Sequence, residues 1–276
     1  MIKRFKYEPL AAVMGDVVEQ RYIAPSVDTA ARVLALLSRY RTRTSTLSEI
    51  TAALDVSKAT CLRVLKTLET HGLVSFDPQT KRYSLGYYCV VLGSRAEEGL
   101  DYLQLVTPLL RHATGLTGLT SAFVQRVSAD RMMYVAKVEG DANAGINVSV
   151  GNRFPITEVS YGTWVVAYAD EPERERILAG GLRAVTPRTV TDPAAYLRRA
   201  ERALSEGVLV SQSEYVLGVT AVSCPVLDVR RDLVGVLTVL GLTEALQGQA
   251  LETVVGHMRD VCARARFDDN QPEQTA

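Results

Sequence analysis

The chain has 276 residues, 47% of them hydrophobic, which is ample for two ordinary globular domains. Four scattered cysteines with no histidine at ligand spacing argue against a zinc site or a disulfide framework, and the longest strongly apolar run, Leu233 to Leu242, is shorter than the roughly 20 residues that cross a bilayer. We therefore expect a soluble, cytoplasmic protein without a metal site or a cofactor.

The formal net charge of zero hides an uneven distribution of charge. Residues 1–88 contain 13 basic and 8 acidic side chains, a net charge of +5, so the remaining residues, with 18 basic and 23 acidic side chains, carry −5. Such an excess of positive charge suits either an ordinary solvated surface or a surface that binds phosphates. The arrangement of helices in this basic part favours the second interpretation.

The basic part begins with an extension, residues 1–25, that the sequence hardly constrains. Apolar residues then recur at helical spacing from Val27 to Leu37, which predicts a first helix. Thr46 and Glu49 have the spacing of a capping box, which predicts the start of a second helix.

A third predicted helix follows after a tight turn, with Ser57 as its N-cap and Gly72 as its stop. Two helices joined by so short a turn indicate a helix-turn-helix. We expect Cys61, Leu62, Leu65 and Leu68 to point inward. The residues expected to meet bases and phosphates of double-stranded DNA lie on the outer face or early turns of this helix: Ser57, Lys58, Thr60, Arg63, Lys66 and Thr67.

Two strand-like segments, 73–76 and 82–85, flank a polar turn after the third helix. They predict a hairpin that completes a winged helix-turn-helix over residues 26–86. Lys81 and Arg82 place positive charge on this wing, so both are candidate DNA-binding residues.

A second domain is predicted over residues 101–267, between a linker at 87–100 and a disordered tail at 268–276. Its predicted elements are a helix ending at Thr114-Gly115, a hairpin over 122–138, a loop over 151–155, a short buried helix over 161–168, a helix from Asp192-Pro193 to Gly207, a hairpin of 219–227 and 233–240, and a closing helix around 251–262. In the helix ended by Gly207, we expect Leu197, Ala200 and Leu204 on one face and the arginines on the other. Hairpins in place of regular strand-helix-strand units indicate an α+β domain, in which an antiparallel sheet with helices on one face can hold a small ligand.

Two groups of residues carry a family resemblance. The N-terminal group is Ser57-Lys58-Ala59-Thr60, Arg63-Val64-Leu65, Thr67-Leu68-Glu69, His71-Gly72-Leu73-Val74 and Arg82-Tyr83-Ser84-Leu85-Gly86. The weaker C-terminal group is 134–140, Gly162, 189–192, Gly207, Glu214, Gly218, 221–225 and Gly241. Together they resemble the IclR family of bacterial transcriptional regulators.

This resemblance implies a winged helix-turn-helix joined by a helical linker to a GAF-like effector-binding domain, assembled as homodimers or homotetramers on palindromic operators. It also implies a small organic acid as effector, held by backbone amides before Gly162 and by polar side chains of the last hairpin. Carried onto this chain, the candidate effector-binding residues are Ser160, Tyr161, Gly162, Ala221 and Thr238.

Four positions depart from the family pattern. Ser211 stands where an acidic residue is frequent, Ala221 where a cysteine occurs and Leu240 where a second hydroxyl is frequent, while Tyr161 replaces a small residue. Fewer polar anchors and a bulky ring indicate a drier pocket. We therefore expect a more apolar or aromatic effector, or one held mainly by the amides of Ser160 and Tyr161.

Two other classes of protein compete with a ligand-responsive regulator. One is an enzyme with an accessory winged helix, although the chain contains no Gly-x-Ser-x-Gly, Walker, His-Glu-x-x-His or Gly-x-Gly-x-x-Gly motif. The other is a nucleic-acid-binding protein without a small-molecule effector. We expect a regulator and no enzyme, with repression and activation both open.

Overall fold

The computed structural model describes residues 24–98, 101–141, 146, 148–228 and 230–264. They fall into two compact units with a boundary between Asp101 and Tyr102. The predicted N-terminal extension, except its last two residues, and the predicted C-terminal tail lie outside the described residues. No described helix has both the length and the apolar character needed to span a membrane.

The first unit is a winged helix-turn-helix followed by one more helix. Its elements are α1 (Pro25–Leu37), a 3-10 turn (Tyr40–Thr42), β1 (Ser45–Thr46), α2 (Leu47–Leu54), α3 (Lys58–Thr70), β2 (Val74–Asp77), β3 (Arg82–Leu85) and α4 (Tyr88–Glu98). The predicted order of three helices and a hairpin is confirmed.

Local capping chemistry sets the ends of the two helices in the helix-turn-helix. The Thr46 hydroxyl accepts from the Glu49 amide at 3.3 Å, and the Glu49 carboxylate accepts from the Thr46 amide at 2.7 Å, so the predicted capping box is present. The Ser57 hydroxyl accepts from the Thr60 amide at 3.1 Å and begins α3. Gly72 follows α3 with φ of +68°, a conformation that glycine adopts without strain.

The hairpin gains a third strand that the sequence did not predict. Ser45 of β1 pairs with Tyr83 of β3, and Thr46 pairs with Arg82. Two residues are too few for a strand pattern to be recognised in a sequence. Through this strand the wing is joined to the residues just before α2.

The core of the first unit shows one error in the predicted inward face of α3. Cys61, Val64, Leu65 and Leu68 are buried, whereas Leu62 is 40% exposed. A helix turns by about 100° per residue, so a face that buries Cys61, Leu65 and Leu68 also takes in Val64 and leaves Leu62 outside. Leu62 therefore belongs to the outer surface of α3.

The second unit is a six-stranded antiparallel sheet covered by helices. Its elements are α5 (Asp101–Thr117), β4 (Thr120–Arg126), β5 (Arg131–Val138), β6 (Arg153–Pro155), a 3-10 turn (Ile156–Glu158), α6 (Gly162–Tyr168), α7 (Glu171–Ala179), α8 (Pro193–Glu206), β7 (Leu209–Gln212), β8 (Val219–Leu227), β9 (Leu233–Leu242) and α9 (Gly248–Arg264). The strand order is β6-β5-β4-β9-β8-β7, with every neighbouring pair antiparallel. The predicted α+β class with an antiparallel sheet is confirmed.

Helices cover both faces of the sheet, not the one face expected from the sequence. One apolar core lies between the sheet and α6 and α8, with Trp164 and Tyr196 among its members. The other lies between the sheet and α5 and α9, with Leu110 and Met258 among its members. The predicted site residues Ala221 and Thr238 both belong to the face covered by α6 and α8. Ala221 and Ser223 are two positions apart in β8, so their side chains share a face, and Ser223 pairs with Thr238 of β9.

Several element boundaries differ from the prediction. Gly115 lies inside α5, and the helix ends before Gly118, whose φ is +68°. The predicted loop at 151–155 contains the edge strand β6, while α7 and β7 were not predicted. In α8 the buried residues are Tyr196, Ala200 and Ala203, so the predicted face is displaced and Leu204 is 44% exposed.

Candidate DNA-binding and effector sites

The outer surface of α3 presents a group of exposed polar and basic side chains. Lys58 and Arg63 are exposed, and neither forms an ion pair with another described residue. Ser57 and Thr60 are linked by a hydroxyl hydrogen bond of 2.9 Å, so both hydroxyls lie at the start of the helix. Thr67 donates its hydroxyl to the carbonyl of Arg63 at 3.0 Å. Four of the predicted DNA-binding residues thus lie within the first two turns of one helix.

Lys66 is partly engaged within the protein. Its ammonium group donates to the Glu69 carboxylate at 2.9 Å and lies 5.4 Å from the centre of the Phe76 ring. This hydrogen bond raises the pKa of Lys66. Because ion pairs between exposed side chains contribute little to stability, Lys66 can exchange Glu69 for a phosphate at small cost.

The two basic residues of the wing have different environments. Lys81 is exposed and has a positive φ of 55° at the end of the turn. Arg82 donates to the Thr44 carbonyl at 3.0 Å and pairs with Glu49 at 3.2 Å, which ties the wing to the capping box of α2. Lys81 is therefore less constrained by contacts within the protein than Arg82. The contacts of Arg82 hold the wing in position against α2.

Glu49 should make the stability of the first unit depend on pH. The hydrogen bond from the Thr46 amide, assisted by Arg82, lowers the pKa of Glu49 below its ordinary value of 4.5. Its contribution is therefore present above the unfolded-state pKa and lost as pH falls through the lower folded-state pKa. Glu49→Gln keeps a side chain that can form the capping box but removes its charge. Wild type should therefore have the higher Tm at neutral pH and lose this advantage on acidification. Thermal unfolding over a pH series tests this, and a pH-independent difference would contradict it.

The predicted effector residues around α6 meet an aromatic cluster, defined here as Tyr134, Phe154, Tyr161 and Tyr215. Ring centroids lie 5.0 Å apart for Tyr134 and Phe154, 5.9 Å for Phe154 and Tyr161, and 6.1 Å for Phe154 and Tyr215. Tyr161 is buried and its hydroxyl lies 3.2 Å from that of Tyr134. Burial raises the pKa of Tyr161, so its phenol is neutral at physiological pH.

Thr238 lies next to this cluster. Thr238 lies near enough to Tyr161 to oppose part of the effect of burial on the pKa of Tyr161, so these two predicted residues are brought together. Ala221 lies on the same sheet face and pairs with Leu240, two residues along β9 from Thr238. The buried Thr238 hydroxyl is 3.4 Å from the carbonyls of both Val222 and Val239, so its hydrogen bonds are long and weak.

Gly162 and Ser160 frame the start of α6. A Cβ at position 162 would lie 1.9 Å from the Ile156 carbonyl oxygen, so only glycine fits this close approach. The Gly162 amide donates to the Val159 carbonyl at 3.2 Å, which closes the turn that presents Ser160 and Tyr161. Ser160 is itself buried.

Trp164 was not among the predicted site residues. It is fully buried, and its indole nitrogen donates to the Ser223 hydroxyl at 3.0 Å. Ser223 is the pairing partner of Thr238. The sequence signal was present, since a tryptophan in the first turn of a short apolar helix requires a partner for its N–H when buried.

A buried ion pair on α8 was also missed. Arg199 was expected on the solvent side of the helix, but only 13% of its side chain is exposed, and it pairs with Glu214 at 2.5 Å. The face of α8 that contacts the core is displaced by about one residue from the predicted face, which brings Arg199 inward. Its partner is 15 residues away, beyond the reach of a helical pattern.

Comparisons with known proteins agree with this geometry. A family model described as the C-terminal region of the bacterial transcriptional regulator IclR matches residues 96–265, and a model of the IclR helix-turn-helix domain matches residues 26–78. The chain belongs to the IclR family.

Characterised IclR relatives extend over most of this chain. The HTH-type transcriptional regulator XynR of Escherichia coli (strain K12) is 25% identical over 83% of this chain and 90% of its own length. The glycerol operon regulatory protein of Streptomyces griseus is 28% identical over 88% of this chain and 95% of its own length.

Solved IclR structures share the fold. An IclR transcriptional regulator from Alicyclobacillus acidocaldarius superimposes with a TM-score of 0.81 at 40% identity, covering 88% of this chain and 98% of that one. An IclR homolog from Microbacterium hydrocarbonoxydans, crystallised with 4-hydroxybenzoate, gives a TM-score of 0.75 at 20% identity over 87% of this chain and 97% of that one. This second likeness concerns the fold alone.

Proposed function

We propose that this IclR-family protein is a sequence-specific transcriptional regulator that binds a palindromic operator as a homo-oligomer and responds to a small organic metabolite. The observation that carries the DNA-binding part is the exposed Arg63 on α3, which has no ion-pair partner among the described residues. Arginine in the major groove recognises guanine with two hydrogen bonds. Lys58, Lys66 and Lys81 supply phosphate contacts that hold the register.

The outer surface of α3 also offers an apolar contact to DNA. Leu62 is 40% exposed beside Arg63, although it is large and apolar. An apolar side chain in the major groove contacts the thymine methyl group. We therefore include Leu62 with Arg63 among the base-reading residues.

The proposed homo-oligomer is supported by the apolar surface of α4. Val90 is 74% exposed, and Tyr88, Val91 and Leu92 are each more than 40% exposed. A cluster of exposed apolar side chains on one helix is typical of an interface with another chain. A second copy of this chain fits a palindromic operator, because a two-fold dimer places one helix-turn-helix on each half-site.

Val90→Asp should convert the oligomer into smaller species and weaken binding to a full palindrome far more than binding to a half-site. The physical reason is that a carboxylate cannot be buried unpaired in an apolar interface. Light scattering gives the mass, and gel shifts on full and half sites give the affinities. Ser94→Asp is the matched control, because it adds the same charge at an exposed polar position of α4. Equal behaviour of the two variants would refute this interface.

The aromatic cluster and Thr238 support the effector part of the proposal. Aromatic rings that meet at their edges and faces favour an apolar or aromatic ligand, and the hydroxyls of Tyr161 and Thr238 supply polar contacts. We propose an aromatic or fairly apolar metabolite bound by Ser160, Tyr161, Gly162, Ala221 and Thr238.

One experiment tests both parts of this proposal. Operator fragments from the region upstream of the protein's own gene are titrated with protein, with and without a panel of aromatic and aliphatic acids. The expected result is specific binding that one aromatic compound changes in wild type but not in Thr238→Val. Binding no tighter than to random DNA would overturn the regulator. Specific binding that no compound changes would instead favour a DNA-binding protein without an effector.

A further inference from the structure

A groove of about 360 Å³ lies between α8 and β7, the strand at one end of the sheet. Its wall combines apolar side chains, among them Ala195, Ala203 and Val208, with charged ones that include Arg202 and Glu206. Cavities of roughly 300–1,000 Å³ are the usual size of small-molecule sites. The groove contains none of the residues assigned to the proposed effector site.

A much smaller cavity of about 10 Å³ adjoins this groove. Val190, Arg199 and Glu214 line both spaces, so the Arg199–Glu214 ion pair is part of the wall between them. The small cavity also touches Ser160 and Tyr196. Its volume suits one water-sized oxygen atom.

Two residues that line the small cavity each have a hydrogen-bonding group without a partner among the described residues. Arg199 Nη2 and the Tyr196 hydroxyl are inaccessible to water, and neither makes a hydrogen bond to a described residue. Tyr196 is 2% exposed, and burial raises its pKa to about 12, so it remains a neutral phenol. Thr163 lies near enough to oppose part of the rise in the pKa of Tyr196. The hydroxyls of Thr163 and Tyr196 nevertheless make no hydrogen bond of normal geometry. Buried donors in native proteins are nearly always satisfied by protein, water or ligand.

The charges around the small cavity disfavour an anion. Glu158 and Glu214 both line it, and each already has an arginine partner, at 3.8 Å from Arg183 and 2.5 Å from Arg199 respectively. The surroundings are therefore neutral overall. A further carboxylate would face two carboxylates, whereas an uncharged oxygen accepts from Arg199 and Tyr196 without this repulsion.

We propose that the groove is a second ligand site for a small uncharged molecule with an apolar body and a carbonyl or hydroxyl oxygen. The body packs between α8 and β7. The oxygen reaches the small cavity past the Arg199–Glu214 pair and accepts from Arg199 Nη2 and the Tyr196 hydroxyl. The site is separate from the proposed effector site, with Ser160 the one assigned residue that lines the small cavity.

Three probes of similar size separate the contributions of shape, oxygen and charge: acetophenone, ethylbenzene and benzoate. Calorimetry on the full chain should give roughly tenfold tighter binding for acetophenone than for the other two, the increment of about one net hydrogen bond. Tyr196→Phe should reduce this advantage, because it deletes one of the two donors and nothing else. Arg199→Gln should do the same, while Thr238→Val should leave acetophenone binding unchanged.

Arg198→Gln is the matched control, since Arg198 is on the same helix with 66% of its side chain exposed. Circular dichroism establishes that each variant is folded, and the conservative Tyr196→Phe carries the test if Arg199→Gln fails to fold. No acetophenone binding by wild type, or equal binding by wild type and Tyr196→Phe, would overturn the second site. Loss of acetophenone binding in Thr238→Val would also overturn it, because the probe would then occupy the proposed effector site.

Discussion

Arg63→Ala should weaken operator binding by about 1–3 kcal/mol, roughly 5- to 150-fold in Kd, and relax specificity at one base pair. Arg63 is exposed on α3, and its side chain has no competing ion pair among the described residues. A guanidinium that donates two hydrogen bonds to guanine loses both on truncation, so the loss should be confined to operators with guanine at that position. Binding isotherms on operators with each of the four base pairs at every position measure this effect.

Two controls separate base recognition from general electrostatics. Arg39→Ala removes the same charge from an exposed position after α1 and should change the affinity for all operators little. Lys66→Gln should weaken binding to all sequences alike and reduce the slope of log K against log salt by about 1. If Arg63→Ala weakened binding equally for every base pair, Arg63 would be a phosphate contact.

Gly162→Ala is the second large effect and should destabilise the second unit by about 3 kcal/mol, the upper end of the cost of overpacking a core. The added Cβ would lie 1.9 Å from a backbone carbonyl oxygen, which cannot rotate away as a side chain can. The turn through Val159 must then shift, and with it Ser160 and Tyr161. Calorimetric unfolding should show a fall in Tm of up to roughly 10 °C, together with a loss of effector response.

Gly115→Ala provides the matched control for this substitution. Gly115 is exposed inside α5, and a Cβ there meets no atom within 4 Å. The same chemical change should raise stability by about 0.5–1 kcal/mol, because alanine loses less backbone entropy in a helix. A Gly162→Ala protein as stable as wild type would show that the turn accommodates a side chain.

Local chemistry explains why much of the first unit was predictable. The capping box of Thr46 and Glu49, the N-cap Ser57 and the stop at Gly72 each depend on residues within four positions of one another. Signals of this kind can be read from the sequence alone, because all the residues that form them are close together in the chain. The strand β1 was not predictable in this way, because two residues become a strand only through pairing with β3.

The second unit shows where local patterns stop being sufficient. The helix α7 was predictable, since Asp170 caps it and Pro172 lies in its first turn, both standard start signals. The burial of Arg199 was not predictable in this way. The predicted and the observed inward faces of α8 share Ala200, and their other members are shifted by one position along the chain. The partner of Arg199, Glu214, is brought near only by the folded chain. The aromatic cluster is likewise assembled from residues between positions 134 and 215.

Ser160 and Tyr161 are neighbours in the chain, yet Ser160 lines the small cavity while Tyr161 belongs to the aromatic cluster. A compound that fixes one of these residues should restrict the backbone of the other, so we expect occupancy of the two proposed sites to be thermodynamically linked. Linkage is reciprocal: whatever factor the first compound applies to the affinity of the second, the second applies to the first. Titrating each compound in the presence of the other should return the same cooperativity factor in both directions.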